Sequence, residues 1–300
     1  MTQQLKSEWV REWSPSTLPS ILAGDVCAAG ISATLVAPVI TAIDRAVVEN
    51  AASPHRPLLP TLRTHLACSI RHPRAFFNAK PFFFVWMLYA GTFSTANTVE
   101  SVGTALTKGA DQVLVGGITF LATCLVNVPL GVWKDVRFVQ LFGQRAALSS
   151  NASTPAAKQP VTGAAQPAMR AAKVPKVVGA TFLLRDAITI FGSITLPTFI
   201  PTPILESISS NPKIRETAVQ LAVPMLSQVV ATPVHLLGLD LYGQQQRIGA
   251  VERWRAIRQN LGGTTMVRCA RIVPAFGVGC IVNANLREWF HTKAGVKKEL

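Results

Sequence analysis

The chain has 300 residues, of which 49% are hydrophobic and only 15% charged, and its 29 lysines and arginines outnumber its 15 acids. A soluble domain carries about 25% charged residues, so this composition excludes an ordinary soluble globule, and it excludes disorder and coiled coil as well. Apolar and basic together point to a membrane protein with cationic loops.

In chain order, the first residues, MTQQLKSEWVREWSPS, carry Glu8 and Glu12 and lack an apolar core ahead of a small-residue cleavage site. Neither a secretory signal nor a transit peptide is expected there. Uncharged stretches follow at 26–43, 81–99, 112–133, 187–205, 217–239 and 272–286. A helix of about 20 residues crosses about 30 Å of hydrocarbon; the last run is short, but its flanking arginines can snorkel. Six transmembrane helices are therefore predicted, in an all-α membrane fold. The connections 45–80, 134–176 and 247–268 hold 6, 7 and 5 Lys/Arg, whereas 100–111 and 206–216 hold only Lys108, Lys213 and Arg215. The three basic loops alternate with the poor ones and face the interior compartment by the positive-inside tendency, with both termini opposite. Topology and anionic lipid explain these loops, so no nucleic acid is expected as a partner.

The five cysteines form no CxxC pair, and no Cys/His cluster has metal-ligand spacing, so neither metal nor cofactor is expected. No nucleotide-binding loop, catalytic triad or pair of catalytic carboxylates is evident, which argues against an enzyme.

The first, third and fifth spans share a small-apolar run broken by proline: ATLVAPVITAIDR, TCLVNVPLGVWKD and SQVVATPVHLLGLD, at Pro38, Pro129 and Pro233. The second members NAKPFFFVW, RDAITIFGS and RIVPAFGVG align at Pro81, Ile188 and Pro274. These pairs predict three tandem two-helix units in one orientation, at 17–105, 106–205 and 206–290, with tails at 1–16 and 291–300. An Ala/Pro/Ser-rich insertion at about 149–168 lengthens the middle unit and is expected to be a flexible loop. Small residues around Gly24, Ala28 and Gly30 suit close helix packing.

Over about 17–290 the sequence resembles the mitochondrial carrier family, most strongly in AGDVCAAGISATLVAP, LLRDAITIF and VRCARIVPAFGVGCIVNANLRE. The resemblance implies a six-helix barrel in the mitochondrial inner membrane that moves a small carboxylate or zwitterion by alternating access. It also implies a monomer, with a small-molecule solute and membrane lipid, cardiolipin included, as partners. The family's signature places an acid two residues and a base five residues after each odd-helix proline. Here those positions read Ile40, Gly131 and His235, then Ile43, Lys134 and Gly238. On the even helices the acid positions read Gly91, Thr198 and Ala284, and the base positions Ser94, Pro201 and Arg287. Only Lys134 and Arg287 are retained. Such erosion fits a second reading, a non-transporting membrane adaptor or insertion factor, with the outer membrane as its alternative location.

Substrate positions implied by the resemblance are Asn78, the Arg185–Asp186 pair and Arg271. A guanidinium binds carboxylate bidentately on any scaffold, and ionisable groups at membrane depth usually line a pathway. Against this, both arginines begin uncharged runs and could snorkel, and neighbours in a helix do not face each other. His235 reads as a hydrogen-bonded structural histidine, with a proton relay as the alternative. Charges further along the odd helices, Asp44, Arg45, Lys134, Asp135, Arg137 and Asp240, offer a gate shifted by one helical turn, about 5.4 Å; solvated charges at the bilayer edge are the alternative.

Overall fold

A computed structural model describes residues 17–52, 57–107, 111–143, 175–191, 212–243 and 249–295. All regular structure among them is helical. Helix α1 spans Leu18–Ala52, α2 Leu58–Arg71, α3 Pro73–Phe77 and α4 Lys80–Thr107. Helix α5 runs from Gln112 to Phe138 and continues through a π-helical turn at Val139–Gly143. Helix α6 is Lys176–Ile190, α7 Pro212–Gly243, α8 Ala250–Ile272 and α9 Cys280–Lys293, with a π segment, Val273–Gly279, joining the last two. The insertion at 149–168 and most of the fourth uncharged run lie outside the described residues.

Local chemistry sets several ends. Asp111 caps α5, its carboxylate accepting from the Leu114 N–H at 2.9 Å, which satisfies one of the orphan donors of a first turn. Pro73 opens α3 at a position where the missing N–H is not needed. Proline lies inside α1 at Pro38, α5 at Pro129 and α7 at Pro224 and Pro233. These helices persist through their prolines, as membrane helices do when neighbours support the freed carbonyls. Pro274 falls in the π segment, where wider winding accommodates a residue that cannot donate to the helical ladder.

Each long helix packs on the next: α1 on α4, α4 on α5, α5 on α6, α6 on α7, α7 on α8, and α9 back on α1. The result is a closed ring of antiparallel neighbours. Among the described residues, four stretches, Leu18–Ala52, Gln112–Phe142, Ala222–Tyr242 and Ala250–Lys293, are long and apolar enough to cross a membrane. Helix α4 is 28 residues long but is not among them, because Thr, Ser, Asn and Glu100 fill its second half. Thr92, Thr95, Thr98, Thr104 and Thr107 donate to carbonyls four residues back, so these hydroxyls are satisfied within the helix. On α5, Val113, Leu121 and Leu125 are 61–79% exposed, an outward apolar stripe suited to lipid and not to water.

Small residues bring the backbones together at two seams. A Cβ at Gly24 would lie 2.7 Å from Phe290 Cβ on α9, and one at Gly238 would lie 2.7 Å from both the Phe182 ring and Thr181 Oγ1 on α6. Ala28 is fully buried, whereas Gly30 faces open space and takes no part in this packing. Gly238→Val is expected to overpack the α6–α7 seam and destabilise the protein by about 1–3 kcal/mol, seen as a lowered unfolding temperature in detergent. Gly30→Ala should leave that temperature unchanged or slightly higher.

Candidate functional site

Among the described residues many polar and charged side chains are buried, and the ring turns its ionic groups inward at two levels. At the first level a chain of charges runs across four helices. Arg271 of α8 donates to Asp44 of α1 at 2.6 Å. Asp44 also accepts from Lys134 of α5, and Lys134 reaches Asp135 at 2.7 Å. Asp135 pairs with Arg185 of α6, whose other Nη donates to Asp186 at 2.5 Å. Arg185 Nη1 also donates to Nδ1 of His235 on α7, 3.2 Å away. That contact makes Nδ1 an acceptor and puts the proton of a neutral imidazole on Nε2.

Lys134, Asp135, Arg185 and His235 are at most 5% exposed. Three cations and three carboxylates alternate along this chain, so its charge is balanced by pairing, as burial requires. A fourth cation, Arg268 on α8, is 7% exposed and meets the neutral amide of Gln228, its Nη2 donating to Oε1 at 2.9 Å.

The second level lies toward the other end of the ring. Asp25 of α1, fully buried, accepts from Ser101 Oγ of α4 at 2.5 Å and from Arg287 Nε of α9 at 2.8 Å. His291 Nε2 lies 2.7 Å from the same carboxylate. Arg287 extends to Glu100 at 2.9 Å, and Asn97 and Asn283 exchange side-chain hydrogen bonds at 3.0 and 2.9 Å. Asp25 and Asp44 are 19 residues apart in one helix, about 28 Å at 1.5 Å per residue. That is close to the thickness of a bilayer's hydrocarbon core.

Of the substrate positions expected from sequence, Arg185, Asp186 and Arg271 all join the first level. Arg185 is too buried to snorkel, and it bends back onto Asp186 although adjacent helical residues point apart. Asn78 is elsewhere: it is exposed and caps the short α3 outside the ring. Among the shifted charges, Asp44, Lys134 and Asp135 stand in the chain. Arg45 bonds Glu49 at 2.7 Å, Arg137 bonds Gln140 at 3.2 Å and Asp240 pairs with Arg253. Arg287 belongs to the second level. Asp25, Arg268, Gln228 and His291 are additions that sequence reading did not single out.

Because Asp240 pairs locally, Asp240→Lys and Lys134→Met should act independently. Their effects on unfolding free energy are expected to add within about 0.5 kcal/mol, measured by denaturation of the single and double variants.

A groove of about 590 Å³ lies between α5 and α6, lined by Pro129, Val132, Trp133, Ala180 and Leu183 among others. It is apolar and separate from the charged levels. Among the described residues no group of three or more His, Cys, Asp or Glu is placed to hold a metal ion.

The sequence profile of one family, described as probable citrulline exporter, matches residues 28–291. No curated protein and no solved structure matches the chain. The profile match overturns the resemblance to mitochondrial carriers. Prolines and small residues at regular intervals are what close-packed membrane helices require in general, while ten of the twelve signature charges are missing. The inner-membrane address and the carrier-type barrel rested on that resemblance; what stands is an all-helical, multi-pass membrane protein. From the match over most of its length, the chain belongs to the probable citrulline exporter family and is a transporter, not an enzyme.

Proposed function

We propose that the chain moves citrulline or a closely similar zwitterionic amino acid through the helical ring, with the first charged level as the substrate site. The observation that carries this reading is the buried, alternating run Arg271–Asp44–Lys134–Asp135–Arg185–Asp186. A zwitterion presents one carboxylate and one ammonium, and it can exchange with such a run without leaving a net charge in the membrane. Asp186 supports the ammonium contact. Its Oδ2 is buried without a hydrogen-bond partner, facing Gly131, where a Cβ would lie only 3.3 Å away. The family's description as probable citrulline exporters supports citrulline as the solute.

The reading extends to six crossings in three two-helix units, at 17–105, 106–205 and 206–290. What supports it is the pairing of ring neighbours α1 with α4, α5 with α6, and α7 with α8–α9, with Pro38, Pro129 and Pro233 inside the first helix of each pair. Alternating access follows from two charged levels, one opening while the other stays closed.

Uptake of labelled citrulline into proteoliposomes tests the reading. Wild type should accumulate citrulline, and Asp186→Asn should reduce uptake about tenfold, equivalent to about 1.4 kcal/mol. Absence of uptake for citrulline and for a panel of other amino acids would favour the non-transporting adaptor instead.

A further inference from the structure

We infer that Arg268, with Thr264 and Gln228, forms the anchor for the substrate's carboxylate; the inference rests on the amino-acid reading above and assigns one end of that ligand. The charge balance of the first level leads to it. Lys134, Arg185 and Arg271 each contact at least one carboxylate. Arg268 does not: among the described residues its hydrogen-bond partner is an amide oxygen, and its Nε is buried with no acceptor. No ion pair joins Arg268 to a carboxylate among the described residues, whereas Arg185 and Arg271 add further positive charge nearby. A buried guanidinium without a counter-charge is costly even in a soluble protein, and more so at membrane depth.

Thr264 is the second, independent observation. It precedes Arg268 by four residues on α8, so the two share a face. Thr264 is fully buried, and its Oγ1 has no hydrogen-bond partner. One face of a helix therefore presents two unmet polar groups one turn apart. Across from them, Gln228, Thr232 and His235 form a buried polar stripe on α7, with Thr232 Oγ1 tied to the Gln228 carbonyl at 2.5 Å. Gln228 steers the guanidinium through Nη2 without neutralising it.

A carboxylate satisfies this set. Two oxygens can take the guanidinium's free donors side by side, the Thr264 hydroxyl can donate to one of them, and the ligand's negative charge balances the surplus cation. Arg185 and Arg271 are less suited, because a ligand would have to displace a carboxylate that already holds each of them.

The test uses the full chain in detergent, with L-citrulline, its carboxamide and butyrate as probes, and thermal unfolding as the readout. Citrulline should raise the unfolding temperature of wild type, and the carboxamide should not. Arg268→Gln should bind citrulline about tenfold or more weakly, and Arg268→Lys should recover part of the binding because the charge is kept and the fork is lost. Without ligand, Arg268→Gln should unfold at or above the wild-type temperature, since it removes an uncompensated charge; a merely structural arginine would show the reverse. Thr264→Val, which keeps the shape of the side chain, should also weaken citrulline but not abolish folding.

Citrulline binding that survives in Arg268→Gln overturns the anchor and leaves the amino-acid reading intact. Equal binding of citrulline and its carboxamide does the same without relying on any variant. Stabilisation of wild type by butyrate and not by citrulline, lost in Arg268→Gln, supports the anchor and sinks the citrulline reading. If no carboxylate stabilises wild type, the anchor itself is overturned.

Discussion

Lys134→Met is expected to destabilise the protein by about 3–5 kcal/mol, the range found when one member of a buried ionic pair is removed. Lys134 is 2% exposed and bonds Asp44 on α1 and Asp135 on its own helix. Removing the ammonium leaves two carboxylates that lose a shared cation in a site without water to replace it. Methionine has similar length and flexibility, so the loss is mainly electrostatic and not a cavity effect. Asp44→Asn keeps an oxygen for Arg271 while removing one of the stranded charges. The double variant Asp44→Asn/Lys134→Met should therefore be more stable than the sum of the single effects implies, by about 0.5–3 kcal/mol. Denaturation of all four proteins in one detergent checks the cycle. Strictly additive effects would mean that α1 and α5 are not latched through this pair.

Much of this level was legible because lysine and aspartate near the end of an apolar run cannot be ignored in a membrane chain. Asp44, Lys134 and Asp135 were conspicuous by position, and Arg185–Asp186 by rarity. What sequence could not convey was the partner of each charge, since pairing joins residues separated by 90 positions in one case and 227 in another. Arg268 was hidden for a different reason. It closes the basic segment 247–268 and reads as a loop charge, whereas α8 carries it inside the ring. Asp25 was hidden likewise, lying just ahead of an uncharged run, where charges normally mark the bilayer edge. The uncharged runs themselves located α1, α4, α5, α7 and the α8–α9 helix well, because the bilayer imposes length and polarity directly on sequence. Family membership was not legible from the same features, for that very reason: proline and small-residue spacing report the solvent and the packing more than ancestry.

Asp25→Ala is expected to match or exceed the effect of Lys134→Met, again about 3–5 kcal/mol, and to act at the opposite end of the ring. The carboxylate is fully buried and gathers Ser101, Arg287 and His291 from two other helices. Alanine would strand Arg287 against a level that retains Glu100 alone as an acid in direct contact with it. Asp25→Asn should cost less, because one oxygen still accepts while the charge and the second acceptor are lost. Glu100→Gln should cost least, about 0–1 kcal/mol, since the Glu100 side chain is 28% exposed and its pairing is partly screened. Both charged levels are formed at once in this structure, the second of them joining α1, α4 and α9. Loosening the Asp25 end should consequently do more than lower stability: Cys27, on the same stretch of α1 and exposed at the ring's outside, should keep its wild-type rate of thiol labelling, while a cysteine introduced at the buried Ser32 should label faster in Asp25→Asn than in wild type. Thermal unfolding gives the order Ala, Asn, Gln, and labelling of Ser32→Cys reports the opening. An unchanged labelling rate together with the full loss of stability would make this level a structural clamp and leave only the Lys134 level as a gate.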